Sequence, residues 1–202
     1  MSIVFYWHPQ SSASPIAAAL AELQVPHERV KVDIRAGEQR RPEFLAINPN
    51  GKVPTLTVDG APLFEALAIQ LWLGEHWGVE RGLWPAAGTP QRLAAMSWCA
   101  WSYVSYGAVL WRLFHLGHGD EGQRDPRQAE RALADLDSLL GVLEGHLARQ
   151  PWMLGAEYSL ADLVVGSVIG YSAMLGAPIA AHPKVQAWLG KVQARPAMQV
   201  DR

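Results

Sequence analysis

The stretch FLAINPNGKVPTLTV, which spans residues 44–58, says more about the fold of this chain than any other segment of it. It begins as a short helical turn, continues through the turn-forming run Asn-Pro-Asn-Gly, and ends after Val53-Pro54 in an apolar β-type segment. The pair Asp59-Gly60 then separates that segment from a second short strand, which is typical of a β-hairpin. Apolar residues at helical spacing follow over residues 65–77, so the stretch predicts two antiparallel strands with a helix after them.

The residues before this stretch predict a strand, a helix and a second strand. Residues 3–7 form a β-type run, residues 16–23 are rich in Ala and Leu, and residues 27–32 alternate between apolar and polar. The polar loop after the first strand ends at Ser14-Pro15, where the proline suits the first turn of a helix and the serine is expected to cap it. The order is βαβ followed by ββα, which predicts a four-stranded mixed sheet with helices packed on it.

The second half of the chain predicts an all-helical domain. Residues 79–90 are rich in Gly and Pro and lack periodicity, so we interpret them as a linker. Long helical patterns then cover three segments: residues 91–116, 126–149 and 183–194. No convincing strand pattern follows the linker. The sequence therefore predicts an α/β domain over residues 1–78 and an all-α domain over residues 91–202.

The composition is that of a globular protein with a core: of the 202 residues, 50% are hydrophobic and 18% are charged. The net charge is −2 with both signs well mixed, which predicts neither a nucleic-acid nor a membrane partner. The first residues read directly as a strand rather than as a signal peptide. Cys99 is the single cysteine, so no internal disulfide can form, and a cytoplasmic location is expected.

Four segments of the chain carry a pattern that is specific in combination: residues 44–56, 63–69, 158–162 and 182–196. The third segment is a capping box, in which Ser159 and Asp162 can satisfy backbone N–H groups at the start of a helix. In their order and spacing, the four segments resemble the cytosolic glutathione transferase family over essentially the whole chain. The resemblance implies a thioredoxin-like first domain, followed by that family's helical domain.

The resemblance also implies how the first domain would hold glutathione. Val53-Pro54 would be a cis peptide, with the main chain of Val53 paired to the cysteinyl part of glutathione; from the residues alone, cis and trans are both open. Glu65 would meet the ligand's ammonium group, although a lone Glu at a helix start can simply complement the helix dipole. The backbone N–H of Ala66 would hold the γ-glutamyl carboxylate, where the family usually has a serine.

Ser11 and Ser12 lie in the loop that, in the family, carries the Tyr, Ser or Cys facing the glutathione sulfur. A hydroxyl in that place stabilises the thiolate by hydrogen bonding to its charged form, although loop serines can also be plain turn residues. Gap-free alignment with the bacterial class that has a loop cysteine puts Ser12 at that cysteine. The same alignment puts Gly107 at that class's histidine, which argues against that class. Both serines are candidates for the catalytic residue.

Two further sets of site residues follow from the resemblance. Gln39, Arg40 and Lys52 are candidates for the glycyl carboxylate end of glutathione, because basic and amide groups bind carboxylates. A second-substrate pocket is expected between the domains, with aromatic walls drawn from six residues: Trp7, Trp98, Trp101, Tyr103, Tyr106 and Trp111. Because helical spacing does not separate pocket from core, about half of the six are expected to be core residues.

The resemblance implies a dimeric glutathione transferase that presents the thiolate to small apolar electrophiles, with glutathione as co-substrate and no bound cofactor. Two alternatives stay open: glutathione-dependent reduction of disulfides or peroxides, and a non-catalytic interaction module of the same fold. His115, His118 and Asp120 have metal-like spacing, but we predict no metal site because no other His or carboxylate cluster supports one.

Overall fold

The computed structural model describes residues 1–118 and 120–200, and the contacts divide the chain into two units. The first unit comprises Met1–Trp84 together with the residues from Arg195 onward, and the second comprises Pro85–Ala194. The change from the first unit to the second falls inside the segment that the sequence predicts as a linker.

The first unit is built around a four-stranded mixed sheet. Its strands are β1 (Ile3–Trp7), β2 (Glu28–Lys31), β3 (Thr55–Val58) and β4 (Ala61–Phe64). Their order in the sheet is β2-β1-β3-β4, with β1 parallel to β2 and β3 antiparallel to both of its neighbours. The predicted βαβ-ββα order and the mixed sheet are confirmed.

Three helices accompany the sheet: α1 (Ser14–Glu22), α2 (Pro42–Leu45) and α3 (Ala66–Leu73). A 3₁₀ turn at Glu38–Arg40 precedes α2, and a π-helical turn at Gly74–Gly78 extends α3. The core of the unit is formed by sheet and helix residues that are at most 1% exposed: Phe5, Ile16, Leu20, Leu56 and Ile69. Each such side chain contributes about 1.5–3 kcal/mol on burial, so this apolar interface fixes α1 and α3 on the sheet.

The start of α1 differs from the prediction. Ser14 is the first helical residue, and Ala13, which has no side chain that could cap, occupies the N-cap position. The prediction that Ser14 caps α1 is therefore wrong. The physical reason lies one turn earlier: the Ser11 carbonyl accepts the Ser14 N–H at 3.1 Å, and the Ser11 hydroxyl accepts the Ala13 N–H at 3.1 Å.

The residues after 194 return to the first unit. The Arg195 guanidinium binds the Glu22 carboxylate at the end of α1, with Nε donating to Oε2 at 3.0 Å and Nη2 donating to the second oxygen. A 3₁₀ helix at Pro196–Gln199 packs on α1. The predicted all-α domain included this segment because it follows the last long helix directly, although Pro196 ends that helix.

The second unit contains five helices that frame its core: α4 (Pro90–Trp101), α5 (Gly107–Leu113), α6 (Pro126–Leu147), α7 (Leu160–Met174) and α8 (Pro183–Gln193). π-helical turns at Ser102–Tyr106 and Phe114–His118 continue α4 and α5. The helix predicted over residues 91–116 is thus one helical run with two wide turns. None of the described helices combines the length and the apolar character needed to span a membrane.

The predicted capping box at the start of α7 is present. The buried Asp162 carboxylate accepts the Ser159 N–H and hydroxyl at 2.9 Å each, the Met153 N–H at 2.7 Å and the Trp188 indole N–H at 2.8 Å. Burial raises the pKa of Asp162, and these hydrogen bonds oppose that rise. The carboxylate therefore ties α7, α8 and the loop before α7 together.

Candidate functional site

At one end of the sheet lie three chain segments that the sequence analysis predicts to contact glutathione. The register pairs Tyr6 of β1 with Thr55 of β3, and Thr55 with Phe64 of β4. The end of β1, the start of β3 and the end of β4 therefore lie side by side. Three segments continue from that end: the serine loop (residues 8–13), the cis-proline loop (residues 48–55) and the start of α3.

A buried amide organises the cis-proline loop. Asn48 is 2% exposed, and its side-chain Nδ2 donates to the Lys52 carbonyl and to Thr55 Oγ1, both at 2.9 Å. Its Oδ1 accepts the Asn50 N–H at 3.0 Å. Gly51 adopts a left-handed φ of 58°, and a Cβ there would lie 2.9 Å from the Gln39 carbonyl oxygen, so the loop requires glycine.

Asn48 is the positioning residue that the sequence analysis missed. The run Asn-Pro-Asn-Gly predicts only a turn, because a side chain's partners are not visible in local turn chemistry. A polar residue directly after the apolar residues 44–47 is the one signal that could have indicated a buried hydrogen-bonding role.

The Val53-Pro54 peptide is cis, as the resemblance implies. The side chain of Val53 is buried, while one edge of its main chain stays available for hydrogen bonding to a ligand. Its carbonyl accepts a hydrogen bond from Ser12, and no acceptor for its N–H is present in the part of the chain that the structure describes. A ligand with an amide group can therefore pair with this edge.

The two serines of the serine loop have different partners. The Ser11 hydroxyl donates to the His8 carbonyl at 2.7 Å and accepts the Ala13 N–H, so both of these bonds lie within the loop. The Ser12 hydroxyl instead reaches across to the cis-proline loop and donates to the Val53 carbonyl at 2.9 Å. Of the two candidates for the catalytic residue, Ser12 therefore lies against the main chain of Val53, whereas Ser11 stabilises the turn of the serine loop.

The start of α3 has an unusual backbone. Glu65 lies at the N-cap with φ 70° and ψ 119°, a conformation that is costly for a residue with a Cβ and that is found at functional sites. Its side chain is exposed. Its carbonyl accepts the Ile69 N–H at 3.0 Å, so the N–H groups of the first turn, beginning with Ala66, have no acceptor within the helix. This turn can bind a carboxylate.

The candidates for the glycyl end lie on two segments. Gln39 belongs to the 3₁₀ turn before α2, and its Nε2 donates to the Ile34 carbonyl at 3.1 Å. Its Oε1 is buried, and no described residue donates to it. Lys52 and Arg40 are exposed.

The predicted aromatic residues occupy different environments. Trp7 is half-buried in the first unit, with the Arg29 guanidinium 3.9 Å from its ring centre. Trp101 is half-buried in the second unit, and its ring centre lies 5.6 Å from that of Tyr106. Tyr106 is fully buried, its hydroxyl 2.7 Å from Ser172 Oγ, and burial raises its pKa to about 12. Tyr106 is thus a core residue, while Trp7 and Trp101 stay predictions for the second-substrate pocket.

Among the residues that the structure describes, neither a metal cluster nor a reactive thiol accompanies this site. Within residues 1–118 and 120–200, no group of three or more His, Cys, Asp or Glu side chains could hold a metal ion. His115 stacks on Trp111 with ring centres 3.9 Å apart, and the side chain of His118 lies outside the described residues. Cys99 is fully buried, and burial raises its pKa to about 12, so it is not a nucleophile at neutral pH.

Comparison with known proteins agrees with this arrangement of a thioredoxin-like sheet and a helical unit. The glutathione S-transferase N-terminal domain family matches residues 1–75, and the C-terminal domain family matches residues 126–191. The disulfide-bond oxidoreductase YfcG of Escherichia coli is 32% identical over 96% of this chain and 92% of its own length. The chain belongs to the glutathione S-transferase family.

Two further relatives have similar coverage. Glutathione S-transferase GstB of Escherichia coli is 28% identical over 94% of this chain and 91% of its own length. A solved theta class glutathione S-transferase from Xanthomonas axonopodis pv. citri, with glutathione bound, is 28% identical with a TM-score of 0.85. The match covers 99% of this chain and 96% of that one.

Proposed function

We propose that this chain is a glutathione transferase that binds glutathione at the shared end of its sheet and ionises the thiol with Ser12. The observation that carries the proposal is the 2.9 Å hydrogen bond from the Ser12 hydroxyl to the Val53 carbonyl. It puts a hydroxyl beside the main-chain edge that can pair with the cysteinyl part of glutathione. The glutathione-bound relative from Xanthomonas supports the same ligand.

Each of the remaining charged groups of glutathione has a partner of complementary charge or hydrogen-bonding character. The exposed Glu65 carboxylate meets the ammonium group, and the first-turn N–H of Ala66 meets the γ-glutamyl carboxylate. Gln39 and Lys52 are assigned to the glycyl carboxylate, Lys52 as an exposed cation and Gln39 through its side-chain amide. Ala66 supplies no hydroxyl, so this end is held by one hydrogen bond fewer than a serine would give.

The chemistry requires little beyond ionisation of the thiol. A thiol with a pKa of ~8.5 is only a few per cent ionised at pH 7, and lowering its pKa by ~2 units corresponds to ~2.7 kcal/mol of stabilisation of the thiolate. The Ser12 hydroxyl can supply much of this by turning from the Val53 carbonyl to the sulfur. The sulfur lone pair then forms a bond to an electrophilic carbon, and the leaving group departs with its bonding pair.

Disulfide reduction is the second candidate, because the relative YfcG is named a disulfide-bond oxidoreductase. The serine loop contains no cysteine, and Cys99 is buried with its pKa raised to about 12, so a protein thiol would not take part. In such a reaction one glutathione thiolate attacks the disulfide and releases a thiolate. A second glutathione then resolves the mixed disulfide, giving oxidised glutathione and the second reduced thiol.

The deciding experiment combines calorimetry with product analysis. Glutathione binding is titrated in the wild type and in Ser12→Ala, and the products from an aryl halide, a mixed disulfide and a hydroperoxide are identified by mass spectrometry. We expect binding, formation of the aryl conjugate, and a lower rate in Ser12→Ala. Reduction of the disulfide without aryl conjugation would favour the second candidate. A wild type that does not bind glutathione would overturn both and favour a non-catalytic interaction module.

We also propose that the protein forms a two-fold dimer through the outer face of α4 and α5. Residues 93–111 contain no charged side chain over 19 positions, although part of this run faces solvent. Leu93, Val104 and Trp111 are 69%, 67% and 65% exposed. An exposed apolar stripe of this length is costly in water and is typical of a protein interface.

The dimer is tested by sedimentation velocity of a charged variant. Val104→Glu puts a carboxylate in the middle of the stripe and should convert a dimer to a monomer. Val142→Glu is the matched control, because Val142 is 53% exposed on α6, outside the stripe. A wild-type monomer, or a dimer that Val104→Glu leaves intact, would contradict this interface.

A further inference from the structure

A groove in the second unit lies between the end of α6 and one face of α8. Its volume is about 400 Å³, which is the size of a small-molecule site. Residues 147–151, at the end of α6 and in the turn after it, form one wall. The other wall is a stripe on α8 at positions 184, 187, 188 and 191, which share one face because they are three or four residues apart.

The groove residues that the structure describes carry three positive charges and no negative one. The charged residues of the lining are Arg149, Lys184 and Lys191, and all three are exposed. Such a concentration of one sign contrasts with the net charge of −2 of the whole chain. Among the described residues, no carboxylate forms an ion pair with any of the three. The groove is therefore a local site of positive potential.

The helix dipoles account for two of these cations but not for the third. Arg149 follows α6 and Lys191 lies in the last turn of α8, where a cation complements the negative end of a helix. Lys184 lies in the first turn of α8, where the dipole disfavours a cation. The Glu144 carboxylate accepts the backbone N–H groups of Lys184 and Val185, and Glu144 does not line the groove. An anion bound in the groove would compensate for the placement of Lys184.

Both walls of the groove are held by hydrogen bonds. After α6, the Gln150 Nε2 group donates to the carbonyls of Trp152 and Met153 at 2.8 and 2.9 Å. On α8, Trp188 lines the groove while being only 2% exposed, and its indole N–H donates to the buried Asp162 carboxylate at 2.8 Å. A ligand would therefore meet a largely preformed site.

We propose that this groove binds a small polyanion with about three negative charges, of the diphosphate or tricarboxylate type. The number of charges follows from the three cations of the lining. Lys184 and Lys191 are seven residues apart, which is about 10 Å along the helix axis, so the ligand needs anionic groups at more than one point. The groove belongs to the second unit, whereas the proposed glutathione site is built from the first, so the two sites are separate.

The test is isothermal titration calorimetry with inorganic pyrophosphate and with citrate, in the absence of metal ions and at about 0.05 M salt. We expect at least one of the two to bind at one site per chain and more tightly than sulfate, and the tighter one identifies the phosphate or the carboxylate class. Lys184→Gln and Lys191→Gln should each weaken binding about fivefold. Lys31→Gln is the matched control, because it removes the same charge from an exposed position on β2 and should leave the affinity unchanged.

Three results would overturn the inference. If the wild type binds neither pyrophosphate nor citrate, the three cations only solubilise the surface. If Lys31→Gln weakens binding as much as the two groove variants do, the anion responds to the overall charge and not to the groove. If saturating glutathione displaces the bound anion, the anion occupies the proposed glutathione site instead.

Discussion

Replacing Ala66 by serine should tighten glutathione binding. Ala66 is the first residue of α3, and only its backbone N–H is available to the γ-glutamyl carboxylate in the proposed complex. A serine hydroxyl at this position adds one hydrogen bond to a charged group. Such a bond at a partly solvated site contributes about 1 kcal/mol, which corresponds to about a fivefold lower Kd.

The assay for this prediction is isothermal titration calorimetry, with Ala68→Ser as the control. Both substitutions put serine in the first turn of α3, so they share the small loss of helix propensity, but residue 68 projects from a different face of the helix. The thiol pKa should not change in Ala66→Ser, because the hydroxyl meets the carboxylate and not the sulfur. An unchanged or weaker affinity in Ala66→Ser, with a melting temperature equal to that of the control, would refute the placement of the γ-glutamyl group.

Three further predictions concern stability and reactivity. Asp162→Ala leaves several buried donors unpaired, so it should cost at least about 3 kcal/mol, seen as a lower urea midpoint. Cys99 should react with a thiol reagent at pH 8 only as fast as the protein unfolds, since it is fully buried; rapid labelling of the native protein would contradict this. Tyr106 ionises near 10 when unfolded but at about 12 when folded, so stability should fall from pH 10 to pH 12, and Tyr106→Phe should lessen that fall in alkaline melting curves.

The order of elements was predictable from the sequence because it depends on local signals. The turn at Asn-Pro-Asn-Gly, the Asp59-Gly60 hairpin and the helical spacing after Glu65 each act over a few residues, and the structure has elements at all three. The capping box at Ser159 and Asp162 was predictable for the same reason. The bounds of the long helices agree to within two residues, apart from the π-helical turns, which no periodicity indicates.

The details of the site depend on contacts that are distant in sequence. The Ser12 hydroxyl bonds to a carbonyl 41 residues away, so the sequence left Ser11 and Ser12 equivalent. Ser14 was predicted to cap α1 because Ser-Pro before an apolar run is typical of a helix start. The prediction failed because Ser11 accepts the N–H groups of Ala13 and Ser14, and the helix begins at Ser14 itself. Tyr106 could not be assigned to pocket or core, because its hydroxyl bonds to Ser172, which lies 66 residues further along the chain on α7.

Stabilisation of the glutathione thiolate by the Ser12 hydroxyl is tested by the thiol pKa of bound glutathione in the wild type, Ser11→Ala and Ser12→Ala. We expect a thiol pKa that is lowered by about 2 units in the wild type and largely restored in Ser12→Ala. Ser11→Ala should lower the melting temperature and change the pKa less, because Ser11 bonds within its own loop. A wild-type pKa near that of free glutathione, or a lowered pKa that persists in Ser12→Ala, would show that the Ser12 hydroxyl does not stabilise the thiolate.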